Sequence, residues 1–312
     1  MSVDDRVSRT TLGFIDDHRG QLMLHAGGVA SPDGQTILLH GHSGAGKTTL
    51  TAALTVTGGA YLSDETICLD PQTLAIEPFR KPLTVKPGSQ SVLRQFRPAK
   101  RDRDATSGNW QVPPDSFGGA QLPDAPLLPA LIIFPRYGAD QGEPTLTPVS
   151  RATAAFWLGE NSSALWAIEP RPLAALERLV TAAPAFEASY NDAFSAAPVV
   201  HAKLSELAGN SLSPASIAAS KPPSSATYAD RLRPAAGVDW IELDDEALLF
   251  DGSHLHLLDR SGFAVWRLLD GRRDVPAIAA LLAAEFNIDA ADIIVDVDDL
   301  IRVLRTSNLV DG

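Results

Sequence analysis

The chain has 312 residues, 45 % of them hydrophobic and 21 % charged, with 26 Lys and Arg against 38 Asp and Glu, for a net charge of −12. That composition supports a packed core, and the sign of the charge excludes a general nucleic-acid binder, whose affinity comes from cationic side chains on phosphates. The single cysteine, Cys68, excludes an internal disulfide and any cysteine-based zinc or iron–sulfur centre.

No apolar run reaches the roughly 18 residues needed to cross a bilayer. The opening Met1-Ser2-Val3-Asp4-Asp5-Arg6 has neither the cationic nor the apolar segment of a secretory signal. A cytoplasmic protein without a membrane partner is therefore expected. The acids are unevenly spread: residues 235–312 hold 16 acids and 6 bases. Ahead of them, residues 211–234 read SLSPASIAASKPPSSATYADRLRP, a linker-like mixture of Pro, Ser and Ala. The expectation is a first domain over 1–210, a linker over 211–234 and a second domain over 235–312.

In chain order, Thr36-Ile37-Leu38-Leu39-His40 is a short β-favouring run with a glycine turn behind it. Residues 48–57 have helical composition and stop at Gly58-Gly59. Tyr61-Leu62-Ser63 and Ile67-Cys68-Leu69 read as strand pieces, and Leu131-Ile132-Ile133-Phe134 as a buried strand ended by Pro135. Residues 87–126 are the least regular stretch, with Arg94, Arg97, Lys100, Arg101 and Arg103 close together. They read either as a solvated basic loop or as a flap over phosphates or substrate. Ser150 is placed to cap a helix reaching about Leu158. Residues 173–183 carry Leu173, Leu176, Leu179 and Val180 on one side, and a last helix is expected over 199–208.

In the second domain Trp240–Leu243, Ala247–Phe250 and His254–Leu258 read as three short strands, with turns at Asp245-Glu246 and Asp251-Gly252. Three helices follow, over 261–269, 275–286 and 290–306. The second carries Ile278, Leu281 and Leu282 on one face, and the third carries Ile294, Val297, Leu300, Ile301 and Leu304 at helical spacing. The fold class is thus an α/β sheet-and-helix domain followed by a small α+β, winged-helix-like domain. Winged helices often bind DNA, but the acidic charge here has the wrong sign for that.

Gly41-His42-Ser43-Gly44-Ala45-Gly46-Lys47-Thr48 matches G-x-x-x-x-G-K-S/T, with an apolar strand before it and the 48–57 helix after it; these eight residues and Thr49 are the candidate nucleotide-binding set. The glycines let the backbone turn its N–H groups inward, which makes an anion nest at a helix N-terminus. Lys47 is expected on the β- and γ-phosphates and the Thr48 hydroxyl on magnesium. ATP is the expected nucleotide, with GTP not excluded. Beyond the helix the chain returns through Tyr61-Leu62-Ser63 to Asp64-Glu65. If that strand runs parallel to the first, the two acids share the phosphate loop's edge of the sheet, where open α/β sheets bind ligands. One carboxylate there can take a proton from an attacking hydroxyl, and the other can hold magnesium or its waters.

GHSGAGKTT, preceded by Leu24-His25-Ala26-Gly27-Gly28-Val29 and followed by Leu62-Ser63-Asp64-Glu65, resembles the HPr kinase/phosphorylase catalytic domain. That family has a His-Gly-Val element before its strand, a G-x-S-G-x-G-K loop and an acidic pair after the returning strand. Residues 78–89 (PFRKPLTVKPGS) and 131–137 (LIIFPRY) look like its branch from peptide-modification operons. The resemblance covers about residues 20–208. It implies that Asp64 is the catalytic acid that activates the acceptor serine and that His25 lies close to the transferred phosphate. Glu65 stands where the family has a second aspartate, with a metal role. The family's N-terminal domain and C-terminal helical region have no counterpart here, so a substrate other than HPr is expected. Lys86, Arg151 and Arg136 are candidate charge stabilisers or surface ion-pair partners.

The second domain resembles the PqqD-like peptide-recognition fold through Leu257-Leu258-Asp259, Ala264–Gly271, Asp296-Val297-Asp298-Asp299-Leu300 and Asn308-Leu309-Val310. The resemblance implies binding of the leader of a ribosomally synthesised precursor peptide. The leader would add a strand at His254, Leu255, His256, Leu257 and Leu258 and pack on the last helix near Asp296. Asp292, Asp296 and Asp299 form either a solvated acidic face or an attraction for a basic leader. Together the two halves predict a kinase that transfers the γ-phosphate to a Ser or Thr of a precursor peptide held by its leader. A kinase of a carrier protein or a small hydroxyl metabolite, and a non-catalytic, ATP-gated peptide-delivery module, remain alternatives. A homo-oligomer stays open.

Overall fold

The computed structural model describes residues 2–162, 165–168, 171–209 and 231–312. The chain divides into two compact units, residues 1–215 and 216–312. The expected linker lies outside the described residues up to position 230. Its last residues do not behave as linker: Leu232 is buried in the second unit's core, and Arg233–Pro234 pair with Val310–Asp311.

The first unit runs α1 (Val3–Asp17), β1 (Leu22–Leu24), β2 (Ala26–Ala30), β3 (Gln35–His40), α2 (Lys47–Val56), β4 (Ala60–Ser63), β5 (Ile67–Leu69), β6 (Ile76–Glu77), β7 (Leu83–Val85), β8 (Trp110–Val112), β9 (Leu128–Tyr137), β10 (Thr145–Val149), α3 (Arg151–Glu160), α4 (Pro172–Ala182), β11 (Ala185–Tyr190) and α5 (Ala193–Gly209). Its main sheet has the order β10-β11-β9-β3-β2-β4. β3, β9 and β11 are parallel, while β10 and β2 are antiparallel to their neighbours. On one face Ile37, Leu39, Leu131, Ile133, Ala188 and Tyr190 pack against Leu50 and Leu54 of α2 and Ala197, Val200 and Leu204 of α5. These strand residues sit two apart, as alternation across a strand requires. α4 packs on β9 and pairs with α3.

β9 does not stop at Pro135. It passes through both Pro129, where β11 has not yet joined, and Pro135, where β3 has already left, so each proline has a neighbour on one side only. α5 begins six residues before the expected start and holds Pro198 inside it. The stretch 87–126 is also more ordered than expected. β7 and β8 pair, and Leu93, Trp110, Val112 and Phe117 bury themselves with Ala52, Tyr61, Leu83 and Val85. α1 escapes a sequence reading because none of its residues is buried. It is fixed from its first turn, where the Asp4 carboxylate accepts from Ser107, Asn109 and Gln111 and the Asp4 N–H donates to Asp104.

The second unit runs β12 (Arg233–Pro234), β13 (Asp239–Leu243), β14 (Glu246–Phe250), β15 (Leu255–Leu258), α6 (Arg260–Trp266), α7 (Val275–Phe286), α8 (Ala290–Thr306) and β16 (Val310–Asp311). β13-β14-β15 is an antiparallel meander, so β15 is an edge strand. The β13–β14 turn falls on Asp244, at φ +59°, and Asp245, with Glu246 already in the strand. Asp259, Asp274 and Asp289 cap the three helices by accepting from N–H groups of their first turns, a contact worth about 1 kcal/mol each. Ile278 and Leu282 enter the core with Phe263, Trp266, Val297, Ile301 and Leu304, whereas Leu281 is 45 % exposed and leaves the expected stripe.

Candidate functional site

β4 runs in the same direction as β3, but β2 lies between them, antiparallel to both. Ala26 faces His40 and Gly28 faces Ser63 across the ladders. The register therefore brings three points to one edge of the sheet: the loop after β3, the Asp64-Glu65 pair after β4, and His25 just before β2.

In the loop, Gly46 caps α2 at φ +103°. A Cβ there would overlap the Tyr190 hydroxyl and meet Tyr137 Cβ at 3.1 Å. Two clasps hold the loop to the sheet: Tyr190 Oη donates to the Gly46 carbonyl at 3.3 Å, and Tyr137 N donates to the Ala45 carbonyl at 3.2 Å. Gly46→Ala is expected to cost about 2 kcal/mol from backbone strain and overpacking, read as a fall in the unfolding midpoint; an unchanged midpoint would contradict this geometry. Lys47 is buried, and its Nζ donates to the carbonyls of Gly41 and His42. Burial first, then Lys86, lowers its pKa, while Asp64 and Glu65 act in the other direction. Thr48 and Thr49 are half-buried in the first turn of α2; His42, Ser43 and Gly44 are exposed.

The two acids differ sharply. The Asp64 side chain is 3 % exposed and that of Glu65 is 45 % exposed. Asp64 Oδ1 accepts from Lys81 Nζ at 2.6 Å and from Tyr61 Oη at 3.2 Å, and its Oδ2 accepts from Thr84 N at 3.0 Å. Lys81 also reaches Glu65 Oε2 at 3.1 Å, so one buried ammonium bridges both carboxylates. Burial pushes the pKa of Lys81 down, and Asp64 and Glu65 together more than reverse it. Tyr61 is held neutral by burial and then by Asp64, which raise its pKa well above 10.0. Thr84 passes the frame on, since its hydroxyl donates to Gln111, which in turn donates to Asp4 of α1.

His25 is at the surface of this cluster. Partial loss of solvent around the ring and then Lys47 lower its pKa, while Glu65 and Asp64 work to raise it. Lys86 lies over the loop, with Nζ 2.9 Å from Ser43 Oγ. The structure thus brings together Lys47, His25, Asp64, Glu65 and Lys86. Arg136 instead pairs with Glu187 on the far side of the loop, and Arg151 is the exposed first residue of α3. Sequence reasoning misses Lys81. The available signal was Asp64 itself, because a carboxylate placed behind a buried strand end needs a cation.

Beside the loop, under β3, a cavity of about 280 Å³ is lined by His40, Gly41, Phe134, Tyr137, Trp157 and Asn161, among others. Burial, then Lys47, lowers His40 from its ordinary 6.5 to about 4. Above pH 6.5 this group is neutral in both states and costs nothing. As pH falls below 6.5 the unfolded chain gains the proton and the folded chain does not, so stability falls until about pH 4. At pH 5 the loss is on the order of 2 kcal/mol. His40→Gln is expected to flatten the drop in unfolding midpoint between pH 7 and pH 5; an identical slope would contradict it.

In the second unit β15 presents Leu255, His256 and Leu257 half-buried, with Leu258 in the core. His254 precedes the strand. The Asp251 carboxylate accepts the N–H groups of Ser253 and His254 and lies 3.3 Å from His256 Nε2. Asp292, Asp296 and Asp299 are exposed on α8, and Arg302 neutralises part of that face through Asp298 and Asp299, both at 2.6 Å. Among the described residues no helix is long and apolar enough to cross a membrane, and no cluster of three or more His, Cys, Asp or Glu could hold a metal ion.

Residues 246–310 match the family model of coenzyme PQQ synthesis protein D (PqqD). The second unit is thus a PqqD-like domain. No curated protein matches the chain. Among solved structures, the chain is similar to TbiB1 in complex with the TbiA(beta) leader peptide, at 26 % identity, covering 26 % of this chain and 95 % of that one, with a TM-score of 0.24.

Proposed function

We propose that the protein is a kinase that moves the γ-phosphate of a nucleoside triphosphate, ATP or GTP, to a serine or threonine hydroxyl of a ribosomally synthesised precursor peptide. The observation that carries this reading is the meeting, at one sheet edge, of a G-x-x-x-x-G-K-T loop, its lysine and a carboxylate pair bridged by a buried lysine. The resemblance of residues 20–208 to HPr kinases supports the same reading. The N-terminus of α2 and the loop amides suit a chain of phosphates, and Lys47 and Lys86 add positive charge where negative charge gathers during transfer.

The geometry favours Glu65 over Asp64 as the proton acceptor. Asp64 already accepts from an ammonium, a phenol and an amide, so little of it is open to an alcohol. Glu65 is the open carboxylate. In the proposed step the acceptor oxygen bonds to the γ-phosphorus, the bond from that phosphorus to the bridging oxygen breaks, and the nucleoside diphosphate leaves. The acceptor's proton passes to Glu65, and Asp64 with Lys81 fixes where Glu65 stands. Magnesium, when bound, would neutralise phosphate charge; the Thr48 hydroxyl is an oxygen donor of the right kind for it, and phosphates and waters supply most ligands of such an ion.

The PqqD-like unit supports recruitment of the peptide through its leader. Edge strand β15 offers main-chain groups to an extended segment, and the PqqD resemblance implies that the leader also packs on α8. A tether between capture and chemistry raises the local concentration of the acceptor. The test is the mass of a leader-bearing precursor peptide after incubation with the full chain and magnesium-ATP. Gain of one phosphoryl group, slowed when the leader is cut away, is the expected result. Nucleotide-dependent peptide affinity without any transfer would support the delivery module instead.

A further inference from the structure

We propose that the cavity beneath the phosphate loop, walled by His40, Phe134, Trp157 and Asn161, receives an aromatic side chain next to the acceptor hydroxyl. This inference rests on the kinase reading and adds a sequence preference that the reading alone lacks.

Its first support is the face on which the cavity lies. Leu39 points into the core shared with α2 and α5, so alternation puts His40 on the opposite face of the sheet. The cavity is therefore on the other side of the strand from α2. In the kinase reading the first turn of α2 would hold the phosphate chain, with the nucleoside on the face of α2. In-line displacement requires the entering oxygen to approach from the side opposite the leaving one. The acceptor is left with the face that carries the cavity. His25 marks that route, because it precedes Ala26, which is paired with His40, and α3 ends beside it, where Ser162 Oγ donates to the Met23 carbonyl at 3.0 Å.

The second support is the wall chemistry. Phe134 meets Trp157 edge-on with ring centroids 4.8 Å apart, and His40 meets Phe134 edge-on at 5.8 Å. Asn161 Nδ2 stands 3.5 Å from His40 Nε2 at the polar end. His40 stays uncharged at neutral pH, so the floor accepts an apolar guest. Aromatic rings in such a slot gain edge-to-face contacts beyond simple burial. The volume, about 280 Å³, lies at the lower end of the roughly 300–1,000 Å³ of small-ligand sites and has room for one aromatic side chain.

The test compares two peptides, Gly-Gly-Ser-Trp-Gly-Gly and Gly-Gly-Ser-Ala-Gly-Gly, with the full chain and magnesium-ATP. The tryptophan peptide is expected to have a kcat/KM at least about tenfold higher. Trp157→Ala, and Asn161→Phe as a second variant that plugs the cavity from its rim, should erase that ratio while KM for ATP stays the same. A raised KM for ATP with the ratio kept would place the nucleobase in the cavity and overturn the proposal. The kinase reading is judged separately, on a leader-bearing precursor peptide in the same assay; if neither hexapeptide gains phosphate, calorimetric binding of the same two peptides decides the cavity. Tighter binding of the tryptophan peptide, lost in both variants, upholds it; equal binding of the two peptides overturns it.

Discussion

Lys81→Met is expected to lower the unfolding midpoint of the first unit by roughly 10 °C. The substitution keeps most of the buried stem and removes the ammonium, leaving Asp64 without its cation at a site where its side chain is 3 % exposed. Breaking one side of a buried ion pair costs about 3–5 kcal/mol, and each kcal/mol is worth about 2–4 °C in a unit of this size. Adding Asp64→Asn to the variant should recover part of the loss, because the stranded charge goes with it. The pH dependence has a definite sign. The folded pKa of Lys81 is raised above 10.5, so the pair's contribution is complete below that value and vanishes as pH climbs through the folded one. Calorimetry of both variants checks this; a shift of only a degree or two for Lys81→Met would mean that water reaches the pair.

The second large effect separates the two carboxylates. Glu65→Gln should reduce phosphoryl transfer by roughly 10²–10⁴-fold, the usual worth of a general base, with almost no change in unfolding midpoint, since Glu65 is 45 % exposed. Asp64→Asn should lower both transfer and stability, because it loosens Lys81, Tyr61 and Thr84 together. A stable Asp64→Asn that is dead, beside an active Glu65→Gln, would return the base role to Asp64. Steady-state rates and melting curves on the same samples decide between the two.

Much of the site was legible because its chemistry sits in contiguous residues. The glycine-rich loop after β3 is eight positions long, and the fall from Leu62 to Asp64-Glu65 marks a strand end. The edge they share depends on direction alone, and the sequence places β4 there even though β2 intervenes. What stayed hidden is what depends on distant partners. Lys81 is a mid-loop cation until Asp64 is folded against it. The polar chain from Asp64 through Thr84 and Gln111 to Asp4 has links of 20, 27 and 107 positions and no local pattern. The prolines misled for a related reason. Pro135 ends a strand only if neighbours flank it on both sides, and Pro198 starts a helix only if nothing before it packs, whereas Ala193, Ala196 and Ala197 are buried. Leu281 shows the limit of periodicity, since the buried stripe of α7 runs through Ile278, Ala279, Leu282 and Ala283 and leaves Leu281 outside it.

The most direct measurement is transfer of radiolabelled γ-phosphate from ATP to a leader-bearing precursor peptide by the full chain, run beside Lys47→Ala. The account predicts label on a serine or threonine of the peptide with the wild-type chain and a loss of at least about 10²-fold with Lys47→Ala. Label that stays on the nucleotide with the wild-type chain, or equal labelling by both chains, would contradict it.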